Sequence, residues 1–542
     1  MTTSWLLGVM VIAALTATSG PDPQAQAKPA ATEAPTGAIR GRITTADTGK
    51  PLRRVQVRAM PDDRTGFVRP VTANTNVRGE FEVKGLPPGS YLVTAIRAGY
   101  ITTQYGQRRP EERGLAIAVS DGQIVERIDL AVPRAGILAG RITDELGEPY
   151  PGVRVDALTT RYLRGKRQPS PAAGATTDDL GNFRISGLQP GSYYVVATST
   201  ETWRNEKKET IGFASTYYPG GPLDQAQLVT IAPSEQKGDL HFSLHSSRAV
   251  RISGRVVREG GEPAPGAGVG IAYSYPGVIM SAGMRSVRSA ADGSFQIKDV
   301  PGGVYSVSSG GDEVILTVGG SDIDDVVLTQ RVGSTVSGTV LSEEGTPPPF
   351  PTSGVRVFIE APNDKVLPTV RVVQVGQDWS FKMQNLGGPF LFRMVGLPDG
   401  WTMASAMLND TNVADTPLDV PTGGKEIAGL KIVLTRRIGR VTGTVLDGNG
   451  RAASGAAVVI FAEDESMWMP YSRFIRATRP GSDGRFSVSH LPPGTYHAVA
   501  RDFVEEGQWE DPAFLEEIRD RASRFTLTEG ATATLTLKLP PK

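Results

Sequence analysis

The chain has 542 residues, too many for one core and enough for roughly three to five domains. Lys+Arg and Asp+Glu each total 57, so the formal charge is zero, which argues against a nucleic-acid binder and its basic face. Cysteine is absent, which excludes disulfides, thiolate metal sites, cysteine nucleophiles and a lipidated N-terminal cysteine.

In chain order the first element is WLLGVMVIAALTA, residues 5–17, the only long apolar run. It is too short to span a bilayer as a helix. Small residues follow, and Ala25-Gln26-Ala27 has the form of a cleavage site. Residues 1–27 are expected to be a secretory signal peptide and 28–36 a disordered leader, leaving no transmembrane span in the mature chain. An uncleaved anchor is the alternative, because the MTTS start carries no Lys or Arg.

From residue 37 onward the chain repeats itself. IRGRI (39–43), LAGRI (138–142), ISGRV (252–256), VSGTV (336–340) and VTGTV (441–445) share one apolar-x-Gly-[Arg/Thr]-[Ile/Val] pattern. Each is followed by a phenylalanine: Phe81, Phe183, Phe295, Phe381 and Phe486, at 40, 43, 41, 43 and 43 residues from its glycine. Five pairs at nearly constant spacing mark a structural repeat.

Every unit has the alternation of β-strands. Ile39, Gly41 and Ile43 fall on one face of a strand, and Val55, Val57 and Ala59 on one face of the next. The phenylalanine strand follows and runs into a corner phrase: GLPPGSY at 85–91, GLQPGSY at 187–193 and HLPPGTY at 490–496. Proline and glycine there suggest a type II turn, with the final glycine at positive φ. The tyrosine reads as packing at a strand start rather than as a ligand contact. Alternating segments such as IVERIDLAV, DLHFSLH and TATLTLKL close the units.

The expected fold is all-β, five tandem β-sandwiches over 37–133, 136–247, 250–330, 333–434 and 438–540. Linkers of two or three residues are expected to join separate cores, so that damage to one sandwich spares the others. A short helix near 512–522 is expected in the last unit. Asp511 suits the N-cap and Pro512 the first turn, while Phe514, Leu515, Ile518 and Ala522 recur at helical spacing.

These residues resemble the carboxypeptidase regulatory-like domain, and the resemblance runs over about 37–540. It is strong in units one, two and five, fair in three and weak in four, where Gly387-Gly388-Pro389 replaces Pro-Pro-Gly. The resemblance implies a transthyretin-like (prealbumin-like) sandwich of the carbohydrate-binding-like fold. It further implies a tandem array on an exported bacterial protein, periplasmic or secreted to the cell surface. Fold alone does not settle activity.

Catalytic vocabulary is missing from the sequence. The four histidines, His241, His245, His490 and His497, form no HExxH or HxxE motif, so the zinc site of true carboxypeptidases is absent. His241 and His245 alternate with Leu240, Phe242 and Leu244, which puts them on a solvent face. There is no Gly-x-Ser-x-Gly elbow and no Gly-Lys-Ser/Thr phosphate loop, and GAGVG at 266–270 lacks nucleotide-site spacing. No catalytic residue, metal site or cofactor is expected.

Two aromatic loops depart from the repeat. One is ESMWMPYSRF (465–474) with Trp468 and Tyr471; the other is STYYPGGP (215–222) with Tyr217 and Tyr218. Each is a candidate platform for stacking on a sugar ring, and packing against neighbouring structure is the competing reading. The leading expectation is an exported, non-catalytic scaffold or adhesion array. A glycan-binding protein is the first alternative, and an accessory module of an envelope peptidase or transporter the second. Its partner would then be a glycan or an envelope protein.

Overall fold

The repeated glycine lies at the centre of a strand, and its missing side chain is what lets the neighbouring backbone in. In a computed structural model of the chain, the described residues are 36–540, apart from 63–69, 110–111, 276–277, 280–283, 363–370 and 399. The signal peptide, and the leader up to residue 35, lie outside them. Gly41, Gly140, Gly254, Gly338 and Gly443 pair in antiparallel ladders with Phe81, Phe183, Phe295, Phe381 and Phe486. On its other side each glycine strand meets the closing strand of its unit, which runs parallel to it. A Cβ at these glycines would overlap a carbonyl oxygen of that strand: Ile128, Leu240, Val326, Leu430 or Leu535. The glycine is therefore required by close approach of two backbones, not by its torsion angle. The phenylalanine ring fills the space left over the glycine; in the last unit a Cβ at Gly443 would lie 2.8 Å from the Phe486 ring. All five phenylalanines are buried.

Each glycine strand thus sits in the middle of one sheet, for example Asn182–Leu188, Gly136–Thr143, Gln236–Ser243 in that order. A second sheet faces it, here Lys166–Thr176, Arg154–Leu163, Gly191–Thr198 and Thr216–Tyr217. Apolar residues of the two inner faces make the core: Leu138, Ile142, Val155, Ala157, Phe183, Ile185, Val195 and Phe242 in this unit. The fourth unit differs. Its extra strands, Thr402–Leu408 and Thr411–Asn412, extend the glycine sheet beyond its closing strand Glu426–Thr435.

The corner phrase holds the chain by two devices, and one differs from the sequence expectation. The residue before its Leu or Val has positive φ in every unit: Gly85 73°, Gly187 87°, Asp299 56°, Asn385 59° and His490 63°. A register shift occurs in the facing ladder at the same level, so this is a bulge. The glycine after the prolines is not the left-handed one in the first and last units, since neither Gly89 nor Gly494 has positive φ. The tyrosine hydroxyl then donates to a carbonyl four residues back: Tyr91 to Pro87 at 2.7 Å, Tyr193 to Gln189 at 2.6 Å and Tyr496 to Pro492 at 2.6 Å. Its role is to lock the corner.

Each unit keeps a hydrophobic cluster of its own, but the joints between units are not free linkers. After the first sandwich, Ile101 N–H donates to the Pro133 carbonyl at 2.9 Å and Ala135 N–H to Gly99 at 3.1 Å. After the second, the connecting segment Ser246–Arg248 is itself a strand, paired with Thr210–Phe213. Tyr273 of the third sandwich stacks on Tyr305 and donates to the Ser199 carbonyl of the second at 2.8 Å. At the third joint Gly423 N–H donates to Val332 at 2.7 Å. At the fourth, Arg437 pairs with Glu343 on one side and with Glu529 at 3.0 Å on the other.

The last sandwich carries a second apolar layer built around a helix. A helix, Pro512–Arg519, begins at Asp511, whose carboxylate accepts from Ala513 N–H at 3.0 Å. It ends at Arg519, short of the expected 522, and Ala522 still packs against its cluster. Phe514, Leu515 and Ile518 cover Val459, Phe461 and Val499 on the outer face of the Ala457–Ala462 and Gly494–Arg501 strands. The inner face of the same strands, Val458, Ile460, Ala498 and Ala500, belongs to the main core. Among the described residues no helix is long and apolar enough to cross a membrane.

Candidate functional site: the 463–481 loop and the charged junction around it

The loop that carries Trp468 and Tyr471 leaves the sheet at Ala462. Asp464 opens it, accepting from the Ser466 N–H at 2.9 Å and hydroxyl at 2.7 Å, and a short 3-10 turn, Glu465–Met467, follows. Trp468 closes the turn and folds inward. Its indole N–H donates to the Ala462 carbonyl at 2.7 Å, and its ring meets Phe461 edge-on at 5.5 Å. Arg519 of the helix lies over the indole at 5.7 Å and pairs with Glu516 at 3.2 Å. Only 7% of Trp468 is exposed. Its edge and face lie against Phe461 and Arg519.

Tyr471, three residues on, has φ 64° and is half-buried. Its hydroxyl accepts from Arg164 Nε of the second sandwich at 3.3 Å, and its carbonyl accepts from Arg393 Nη2 of the fourth at 3.1 Å. One residue thus touches two other sandwiches. Tyr217 and Tyr218 belong to a separate loop on the second sandwich. Tyr217 is buried against Leu158 and Val196, and burial pushes its hydroxyl up to about 12. Tyr218 is half-buried and meets Phe242 edge-on at 5.9 Å. The four aromatic residues do not form one surface.

Around Tyr471 lies a set of charged residues that no sequence motif singled out. Arg473 grips Asp415 of the fourth sandwich with two hydrogen bonds, at 2.8 and 2.6 Å, and also donates to the carbonyls of Met403 and, at 3.3 Å, Ala404. Arg393 is buried within PFLFRMV and donates to Phe392 at 3.0 Å and Ala414 at 2.6 Å. Burial, reinforced by Arg473, pushes its guanidinium down to about 10, still charged at neutral pH. Glu360 sits 3.9 Å from Arg393. Burial pushes its carboxyl up to about 7; Arg393 and Arg476 oppose the shift and Glu510 adds to it.

Further along the loop Arg479 enters the first sandwich. It donates to the carbonyls of Gly106 at 3.0 Å and Arg113 at 2.8 Å and pairs with Glu112 at 3.2 Å. Both side chains of the pair are nearly inaccessible, 3% and 6% exposed, and burial lowers the Arg479 pKa. Glu112 in turn accepts the N–H groups of Arg108 at 2.7 Å and Arg109 at 3.1 Å. Buried arginines with carbonyl and carboxylate partners are held for position, and the arrangement joins sandwiches rather than activating a nucleophile. The one sequence signal for any of this was Arg393, a single charge inside an apolar strand; Arg479 and Glu112 sit in unremarkable polar stretches.

The histidines are dispersed. His241 and His245 are exposed, and His245 Nε2 donates to the Gly220 carbonyl at 2.6 Å. His497 is buried and stacks on Phe461 at 5.4 Å, and burial lowers its pKa. Among the described residues, no three His, Asp or Glu side chains group closely enough to hold a metal ion.

The carboxypeptidase regulatory-like domain model matches residues 38–132, 137–218 and 440–540, just over half of the chain. No curated protein matches it in sequence. Solved structures align with it over part of its length, at low similarity. A streptococcal ancillary pilin is 14% identical, with a TM-score of 0.20, covering 54% of this chain and 97% of its own. The minor pilin of Streptococcus agalactiae is 16% identical, with a TM-score of 0.22, covering 39% and 95%. The Bacillus anthracis TIE protein is 11% identical, with a TM-score of 0.15, covering 75% and 76%. With TM-scores this low, the likeness carries no functional argument.

Proposed function

Because this chain belongs to the carboxypeptidase regulatory-like domain family, we propose that it is an exported, non-catalytic array of five β-sandwich modules, divided near 134, 248, 331 and 436, that serves as a structural or interaction scaffold. One observation carries the reading. Three arginines that are buried or nearly so are engaged in holding sandwich to sandwich: Arg473 with Asp415, Arg479 with Glu112, and Arg393 with the Tyr471 carbonyl. A catalytic site would instead hold such groups around an open cleft. The partner is a protein of the cell envelope. Trp468, the main glycan candidate, is enclosed, so no observation favours sugar binding.

Fractionation of cells expressing the tagged full chain tests this. The expected result is an exported protein whose mature N-terminus, by mass spectrometry, begins at Lys28, and which cross-links to envelope proteins. Retention of the intact chain in the cytoplasm, or hydrolase activity that tracks with the purified protein, would overturn it.

A further inference from the structure

The last sandwich touches the first two through a loop whose composition is one-sided. Residues 502–511, DFVEEGQWED, carry five carboxylates and no cation. They lead from the Gly494–Arg501 strand to the helix. The tip of the long hairpin of the second sandwich, RYLRGKR at 161–167, carries four cations and no anion. These segments lie against each other. Arg167 is 3.9 Å from Glu505. The hairpin turns on Arg164 and Gly165, both left-handed at φ 51° and 68°. The Gly165 backbone rests on the Glu510 carbonyl, where a Cβ would overlap the oxygen. In return Gly507 rests on Tyr162, where a Cβ would come within 2.9 Å of the carbonyl oxygen. The first sandwich reaches the same loop. Arg109 pairs with Asp502 at 2.9 Å and lies over Phe503 at 5.2 Å, and Arg113 is 3.7 Å from Glu506.

We propose that the acidic 502–511 loop is a clasp: charge complementarity closes the last sandwich onto the first two, and rising ionic strength releases it, opening the closed body into a longer array. Three features lead there. No hydrophobic cluster of the described buried residues combines side chains from the last sandwich with those of the first or second. The linkers between consecutive sandwiches, by contrast, are held to an adjoining sandwich by backbone hydrogen bonds at the first three joints, and salt does not screen these. Finally, each pair at the clasp has a solvent-accessible member, Arg109 and Asp502 at 49% and 55% and Arg167 at 60%, so the attraction weakens as the Debye length falls from about 10 Å at 0.1 M salt to about 3 Å at 1 M. The buried Arg479–Glu112 pair gives little net attraction after desolvation, but it fixes where the closed sandwiches meet. Release goes beyond the scaffold reading, because it makes the length of the array a variable.

Small-angle scattering with light scattering on the full chain, at about 0.05 M and about 1 M NaCl, tests this. The expected result is a radius of gyration that rises with salt at constant mass. Gly165→Asn keeps a residue that tolerates the left-handed turn but places a Cβ against Glu510, so this variant should be expanded already at low salt. The double change Glu505→Lys with Glu506→Lys leaves the hairpin untouched and should do the same, with an unaltered far-UV spectrum. A radius of gyration that is independent of salt in the wild type, and equally compact in both folded variants, would overturn the clasp.

Discussion

The third and last sandwiches share one framework and use it differently. In both, a glycine strand pairs with a phenylalanine strand and a parallel closing strand. In the third, the strands Asp312–Val318 and Ile323–Gln330 turn one face to solvent, leaving Ile315 and Val327 more than half exposed. In the last, the Ala457–Ala462 strand is covered on both faces, and Val458 through Ala462 are all buried. A sheet packed on one side alternates apolar and polar residues; a sheet packed on both sides is continuously apolar.

The largest effect that separates the two should come from Phe461→Ala, which empties a site between sheet, helix and Trp468. The loss should be about 3–5 kcal/mol by denaturant unfolding. A loss below about 1 kcal/mol would mean the outer layer is not a true core, and the contrast with the third sandwich would collapse. Trp468→Ala should follow at about 3 kcal/mol, with no specific loss of glycan affinity. A normally stable Trp468→Ala protein that had lost saturable glycan binding would reverse the assignment of this residue to packing.

Next comes pH. The Glu360 carboxyl, raised to about 7 from its ordinary 4.5, binds its proton more tightly in the folded chain than in the unfolded one. Its contribution to stability is therefore complete below about 4.5 and is lost as pH rises towards 7. Glu360→Gln should remove that slope and raise stability at pH 8 relative to wild type by up to about 3 kcal/mol. An unchanged slope would place the titration elsewhere. The smallest effect belongs to the third sandwich: Val327→Thr, on its open face, should shift stability by less than about 0.5 kcal/mol. A larger loss would show that this face is covered in solution.

Legibility in the sequence follows the range of the interaction. The glycine, the phenylalanine and the corner tyrosine were readable because each contact lies within one repeat and the repeat restates it. The helix was readable from Asp511, Pro512 and a local apolar spacing. The turn in the corner phrase was misassigned because a bulge and a type II turn both call for glycine, and only the backbone shows that Gly85 rather than Gly89 takes the left-handed angle. The doubly covered strand AVVIFA was visible only as an apolar run, since the helical part of its second cover, Phe514, Leu515 and Ile518, comes from more than fifty positions downstream. Arg479 and Glu112 gave no signal at all, because their pairing depends on how the first and last sandwiches are arranged, and no local pattern encodes that.

The glycine–phenylalanine pair has a consequence for how the chain reaches this state. The same lock and key is offered five times in one local register, so Phe183 competes with Phe81 for the slot at Gly41. Only proximity along the chain, 40 to 43 residues between true partners, selects the right match. A polypeptide that emerges from its N-terminus forward closes each pair before the next competing phenylalanine appears. Refolding the whole chain at once from denaturant removes that ordering and sets five interchangeable partners in competition, so shuffled pairings between repeats become the natural kinetic trap.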